Sequence, residues 1–74
     1  MTWQIDSDGF AFLGGKEIFY TRVNLPSFPY KHAVVEYDDN TGVDGIKILD
    51  FARGELEARV AIEGIVNERT EDDA

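Results

Sequence analysis

The sequence has no cysteine, and its 74 residues include one histidine and two prolines. Without cysteine the chain can form neither a disulfide framework nor a thiolate nucleophile. The single histidine, His32, supplies too few nitrogen ligands for a metal site. It also lacks an evident nucleophile as a partner, because the two serines, Ser7 and Ser27, both lie among turn-forming residues. We therefore expect no enzymatic activity and no metal or other cofactor.

Long hydrophobic runs are also missing. No apolar stretch approaches the roughly 20 residues that a membrane-spanning helix needs. The first residues, MTWQIDSDGF, contain no basic segment followed by an apolar run, so they do not read as a secretory signal. Together with the lack of cysteine, these features favour a cytoplasmic protein.

Basic residues are scarce: seven lysines and arginines stand against fifteen acidic residues, which gives a net charge of −8. Direct contact with DNA or RNA requires a footprint of lysine and arginine, so we expect binding neither to nucleic acid nor to an anionic membrane. The acidity either serves solubility alone or attracts a partner that has a basic surface.

Short segments rich in β-forming residues predict an antiparallel sheet of about five strands. Turn-forming clusters such as Ser7-Asp8-Gly9 and the LPSFP segment at 25–29 separate them. The third segment, 16–24, carries apolar side chains on both faces, with Ile18 on one and Phe19 on the other. Such a strand is usually covered on both sides. The predicted strands are residues 2–6, 10–15, 16–24, 30–38 and 43–50.

The last third of the chain fits two structures. At helical spacing one apolar stripe contains Phe51, Ala58, Ala61, Ile62, Ile65 and Val66. Asp50 stands where an N-cap would accept from the first amide groups, whereas Gly54 inside the helix costs about 1 kcal/mol relative to alanine. The alternative is a sixth strand at 55–63, which would make the protein all-β. We predict the helix, and hence an α+β fold with one C-terminal helix packed on the sheet.

This fold predicts a single small domain at residues 1–66, followed by a flexible acidic tail at 67–74.

The densest acidic stretch of the sequence joins the last two predicted strands. An EF-hand loop needs glycine at its sixth position and glutamate at its twelfth. Counted from Asp38, these positions hold Val43 and Leu49. A β-hairpin with a turn of aspartate, asparagine and glycine explains the stretch better, so we predict a turn and no metal.

Residues 33–56, AVVEYDDNTGVDGIKILDFARGEL, resemble the closing segment of an uncharacterised family of small bacterial domains. In that family a strand ending in Tyr-Asp or Asp-X-Asp is followed by a glycine turn, a GIEILD-like strand and a short helix. The resemblance implies a helix capped by Asp50. It implies no activity, because none is assigned to the family.

Seven carboxylates along 36–57 form the candidate partner-binding surface: Glu36, Asp38, Asp39, Asp44, Asp50, Glu55 and Glu57. Carboxylates held on a hairpin and a helix start can pair with the lysines and arginines of a nucleic-acid-binding protein. In size and charge, though not in sequence, the chain is similar to phage-encoded anti-CRISPR and anti-restriction inhibitors, many of which are short, acidic and non-catalytic. The leading hypothesis is therefore an inhibitor that occupies the basic surface of another protein as a nucleic-acid mimic.

The alternative hypothesis is a non-catalytic structural or regulatory module, or a small homodimer, that binds through apolar contacts. Phe28 lies between two prolines in LPSFPY and is the candidate for such a contact, because exposed aromatic side chains often anchor interfaces. Salt discriminates between the two hypotheses. Binding through charge weakens as ionic strength rises, whereas binding through apolar surface does not.

Overall fold

The chain folds into an antiparallel meander with one helix packed on it, as seen in the computed structural model, which describes residues 2–39 and 45–72. The five strands follow sequence order in the sheet: β1 (Gln4–Ile5), β2 (Ala11–Leu13), β3 (Lys16–Arg22), β4 (His32–Asp38) and β5 (Ile46–Ala52). The helix, α1, spans Glu55–Asp72. The predicted α+β fold is confirmed, and the alternative of a sixth strand at 55–63 is wrong, because α1 occupies those residues.

The first predicted turn forms through an aspartate side chain. Asp6 Oδ1 accepts hydrogen bonds from the N–H groups of Asp8 and Phe10, at 2.9 and 3.0 Å. Gly9 adopts a φ of 85°, which few other residues tolerate. A Cβ atom at Gly9 would also lie 2.8 Å from Cγ of Arg59, so the turn requires glycine for two reasons.

The β4–β5 hairpin is also present. Its strands pair antiparallel, and the N–H of Asp38 donates to the carbonyl of Gly45 at 3.2 Å. The turn itself, residues 40–44, lies outside the described residues. The predicted choice between a structural turn and a metal loop therefore stays a prediction.

The core lies between α1 and one face of the sheet. Ala58, Ile62 and Val66 are spaced four residues apart, so they share one side of the helix. They pack on buried residues of the sheet and its N-terminal flank: Trp3, Ala11, Ile18, Val34 and Ala52. The apolar stripe predicted for the helix is confirmed except at Phe51, which lies in β5.

The helix begins later than the sequence suggested. β5 continues to Ala52, which pairs with His32, and Asp50 lies within the strand, where its side chain accepts from the N–H of Phe51 at 2.8 Å. Asp50 is therefore not an N-cap. Pairing with β4 provides cross-strand partners for the backbone of residues 50–52, whereas the first N–H groups of a helix have no partner within the helix. Gly54 precedes α1 and accepts from the N–H of Ala58 at 3.0 Å, so it carries no helix-interior penalty.

The helix also ends later than expected. Residues 67–72 belong to α1, although the sequence placed the domain boundary at 66. Arg69 explains the extension. Its guanidinium forms an ion pair with Glu36 of β4 and lies 5.6 Å from the ring centroid of Trp3. These contacts hold the last turns of α1 on the sheet.

We expect Arg69→Met to lower the free energy of unfolding by about 1–2 kcal/mol, since the pair is only partly buried. The variant leaves Glu36, whose side chain is 16% exposed, without its cation. Urea denaturation followed by Trp3 fluorescence measures the change. Glu68→Gln, at an exposed position on the same turn, is the control and should change stability by less than about 0.5 kcal/mol. Equal losses in the two variants would contradict an anchoring role for Arg69.

Candidate functional site

Among the described elements, α1 packs on one face of the sheet only, and the other face carries apolar side chains. Residues directly opposite each other in antiparallel strands share a face, so strand pairing arranges these side chains in rows. The three rows are Phe12, Glu17, Tyr37 and Ile46; then Phe19, Val35 and Ile48; then Thr21, Ala33 and Phe51. We call these ten residues the open face.

The open face exposes large apolar side chains. Ile46 is 60% exposed, Ile48 58% and Phe12 39%. Val35 and Ala33 are buried between them, because larger neighbours in the rows shield these smaller side chains. A contiguous apolar surface of this kind is typical of an interaction site, since its removal from water is favourable.

Aromatic rings from the LPSFP segment extend one end of the open face. The ring of Phe28 lies edge-on to Phe51 at 5.0 Å and to Tyr30 at 5.6 Å, and Tyr30 stacks on Phe51 at 6.0 Å. Phe28 is partly buried by these contacts. It therefore folds back onto the sheet and does not project freely from its loop, but it remains continuous with the open face.

The open face has almost no charge. The cations in the strands are Lys16, Arg22 and Lys47. The first two share the side of Ile18 in the core, because they alternate with it along β3. Lys47 lies opposite Glu36, which pairs with Arg69 of α1. All three cations are thus on the helix side, and Glu17 is the single charged residue of the open face.

Among the described residues, the predicted partner-binding carboxylates lie in separate parts of the molecule. Asp38 and Asp39 lie at the hairpin end of β4, whereas Glu55 and Glu57 lie at the start of α1, beyond the opposite end of the sheet. The six-residue step from His32 to Asp38 in β4 spans about 20 Å at about 3.3 Å per residue. Of the remaining carboxylates, Glu36 forms an ion pair with Arg69, and Asp50 is exposed in β5. Asp44 lies outside the described residues.

Asp39 has a defined partner at the edge of the open face. The hydroxyl of Tyr37 donates to Asp39 Oδ1 at 3.1 Å. This hydrogen bond, and then the negative charge of Asp39, raise the pKa of Tyr37 above its usual value. The neutral phenol is therefore the form that folding favours. Its contribution to stability is complete below the unfolded-state pKa and is lost as pH rises through the higher folded-state pKa.

Replacing Asp39 by asparagine should lower the pKa of Tyr37 toward the ordinary tyrosine value, because the charge and the strongest acceptor are both removed. Alkaline titration of the Tyr37 ring signals by NMR measures this change. Asp6→Asn is the control, since the side chain of Asp6 bonds to a separate turn. An unchanged Tyr37 titration in Asp39→Asn would show that the hydrogen bond does not form in solution.

A second apolar patch lies on the outer side of α1. Leu56 is 77% exposed and Val60 59%, and with Ile5 they line a shallow cavity of about 290 Å³. Arg59 and Glu63 interrupt this patch. A hydrogen bond with Tyr20 raises the pKa of Arg59 further above its usual value, so the residue stays cationic. The helix patch is therefore mixed in charge, whereas the open face is almost uniformly apolar.

Sequence reasoning did not identify the open face as a site. One signal was present, because β3 carries apolar groups on both faces, and this pattern led us to expect cover on both sides. Among the described elements, α1 covers one face of the sheet, and no other helix or strand packs on the opposite face. A second signal is Ile46 and Ile48, two apolar residues at strand spacing beside Lys47 in the same strand.

In the described part of the chain, no helix is both long and apolar enough to span a bilayer. Nor do residues 2–39 and 45–72 bring together a group of three or more histidine, aspartate or glutamate side chains that would hold a metal ion. No protein-family model matches the chain, and no curated protein or solved structure gives a significant match. The resemblance of residues 33–56 to an uncharacterised family stays a prediction. Function is therefore inferred from the geometry of the chain itself.

Proposed function

We propose that this protein is a small, non-catalytic binding protein that places the open face of its sheet against a basic protein partner. The observation that carries the proposal is the open face itself, which exposes Ile46, Ile48 and Phe12 and has no cation. A sheet face with this composition gains free energy when another surface covers it, at about 25 cal/mol per Å² of apolar area removed from water.

The charge of the chain selects a basic partner over a second copy. Each chain has a net charge of −8, so two copies repel each other as they approach. Two open faces in contact would also bring two copies of Glu17 into the same interface, with no cation of either open face to pair with them. A partner with an apolar patch bordered by lysine and arginine meets neither penalty and is attracted from a distance.

The predicted acidic residues fit this proposal because their negative charge attracts a basic partner before contact. None of the six described carboxylates belongs to the open face: Asp38, Asp39, Glu55 and Glu57 flank the two ends of the sheet, and Glu36 and Asp50 lie within strands. Their charge therefore acts mainly on the rate of association. Substituting one of them should change binding by a small factor that disappears at high salt. The apolar rows supply most of the binding free energy.

Surfaces that carry clustered lysine and arginine are typical of nucleic-acid-binding proteins. Covering such a surface would exclude DNA or RNA from it, and this protein would then act as an inhibitor. The proposal thus retains the predicted inhibitor of a nucleic-acid-binding partner but assigns the contact to the open face.

The experiment is a capture of partners by the tagged protein from lysate of the cells that naturally make it, eluted in steps of rising salt. The wild-type chain and an open-face variant, Ile46→Asp, are run in parallel. Mass spectrometry identifies the retained proteins, and a second series adds duplex DNA as competitor.

The proposal predicts a basic protein that the wild type retains, the variant does not, and DNA displaces. Retention of the same protein by Ile46→Asp would contradict a role for the open face. A partner that DNA leaves bound would contradict the nucleic-acid-binding part of the proposal. Recovery of only further copies of the chain would favour the homodimer.

A further inference from the structure

A cavity of about 510 Å³ opens where the sheet meets the start of α1, and most of the charged residues around it are basic. Its lining consists of Tyr20, Thr21, Arg22, Lys31, His32, Arg53 and Glu55. We call this site the basic cavity. It holds three of the seven lysines and arginines and the single histidine of a chain whose net charge is −8. The charge of this site is therefore opposite in sign to the net charge of the protein.

Strand register builds the cavity. Arg22 pairs with His32 across β3 and β4, and His32 pairs with Ala52 across β4 and β5. Lys31 directly precedes His32 in the chain, and Arg53 directly follows Ala52. The N–H of Lys31 donates to the carbonyl of Ala52 at 3.1 Å, which fixes the backbone of Lys31 beside the strand ends. The four basic residues therefore lie together, because the end of β3, the start of β4 and the end of β5 are neighbours at one edge of the sheet.

The positive charges of the cavity are not neutralised from within. Among the described residues, the side chains of Arg22, Lys31 and Arg53 form no ion pair, and Arg53 instead lies 5.8 Å from the ring centroid of Tyr30. Like charges that line one cavity repel each other, and their exposure to water weakens this repulsion. Glu55 is the single acidic residue of the lining. The three cations are therefore accessible to pair with a bound anion.

The start of α1 lies beside the cavity, because Glu55 is both the first residue of the helix and part of the lining. The first N–H groups of a helix and the positive end of its dipole attract negative charge. The carboxylates of Glu55 and Glu57 in the first turn oppose this attraction, so the three cations of the lining are the main attraction for an anion.

We infer that the basic cavity binds the phosphate group of a small phosphorylated molecule. Two guanidinium groups and one ammonium group suit a dianion with several acceptor oxygens better than a carboxylate, because arginine binds phosphate oxygens in pairs. The volume lies within the range of small-molecule sites. This site adjoins the open face at Thr21, but its charged residues do not belong to that face: Arg22 and His32 are on the helix side of the sheet. The inference therefore stands independently of the proposed protein partner.

The test is an NMR titration of the full chain with inorganic phosphate, following the His32 ring signals and the backbone amides of Lys31 and Arg53. We expect saturable shifts with a dissociation constant on the order of 1 mM. Acetate, the carboxylate comparison, should bind at least about tenfold more weakly because it carries one charge.

Arg22→Gln and Arg53→Gln should each weaken phosphate binding at least about tenfold, since each removes a charge-assisted hydrogen-bond donor. Using both variants keeps the test valid if one of them fails to fold, as judged from amide dispersion.

Lys16→Gln is the matched control. Lys16 is an exposed cation at the far end of β3, opposite Asp38 in the sheet, and its loss should change affinity less than about twofold. Glu55→Gln should tighten binding several-fold, because it removes the one negative charge of the lining.

Three results would overturn the inference. The first is the absence of saturable shifts at the cavity. The second is an equal loss in Lys16→Gln and Arg22→Gln, which would show only a general response to charge. The third is equal affinity for acetate and phosphate, which would assign the cavity to anions without regard to their charge.

Discussion

Replacing Ile48 by aspartate should weaken partner binding at least about 100-fold while the fold stays intact. Ile48 is the outermost residue of the second row of the open face, on an edge strand, and is 58% exposed in the free protein. Once a partner covers the face, the new carboxylate is buried among Phe19, Val35 and the partner's apolar groups. A buried charge without a hydrogen-bonded partner is strongly unfavourable. Titration calorimetry with the identified partner measures the loss.

Leu56→Asp is the matched control. It introduces the same charge at a more exposed apolar residue, 77% exposed, on the outer side of α1 and away from the open face. We expect its affinity to differ from that of the wild type by less than about threefold, through charge alone. Equal losses in Leu56→Asp and Ile48→Asp would contradict the assignment to the open face. A loss in Leu56→Asp alone would move the interface to the helix patch.

Replacing Ile62 by alanine should lower the free energy of unfolding by about 2–5 kcal/mol. Ile62 is fully buried and packs with Ile18 and Val34 between helix and sheet. At about 0.05–0.15 kcal/mol per residue, a chain of this length has about 4–11 kcal/mol in total. The substitution thus removes a large share of the stability. Urea denaturation followed by the fluorescence of Trp3, which is 7% exposed in the core, measures the change.

Val60→Ala is the comparison variant for Ile62. Val60 lies two residues earlier in the same helix but is 59% exposed, so its truncation should cost less than about 0.5 kcal/mol. The slope of unfolding free energy against urea should match that of the wild type in both variants, because each exposes the same surface on unfolding. If Val60→Ala cost as much as Ile62→Ala, the helix would not pack through the face that Ala58, Ile62 and Val66 form.

Much of the fold follows from local patterns in the sequence. Alternation in 16–24 placed Ile18 and Phe19 on opposite faces of β3, and the structure confirms both positions. The four-residue spacing of Ala58, Ile62 and Val66 identified the buried side of α1. These features depend on neighbours within one element, so the sequence shows them directly.

The helix boundaries depended on contacts that the sequence does not show. Asp50 is a good N-cap residue, but β4 extends to His32 and pairs with β5 as far as Ala52, so the strand continues through that position. The polar end of the helix read as a tail because the partner of Arg69, Glu36, is 33 residues away in the chain. Long-range pairing decided both ends of α1.

The candidate sites were hidden for the same reason. Exposure of Ile46 and Ile48 follows from which face α1 covers, and no spacing within β5 specifies that choice. The basic cavity depends on register, which brings together Arg22, His32 and Arg53 from three parts of the chain. The carboxylates, in contrast, were conspicuous in the sequence, yet the sheet separates those of the hairpin from those at the start of α1.

The most direct test of the open face as the binding surface is photo-crosslinking inside the cells that naturally make the protein. A photoreactive amino acid is placed at Ile48 in one variant and at Leu56 in another, and crosslinked products are identified by mass spectrometry. We predict that position 48 captures a basic protein other than the chain itself and that position 56 does not. Equal capture at both positions, or crosslinks from position 48 only to further copies of the chain, would contradict the account.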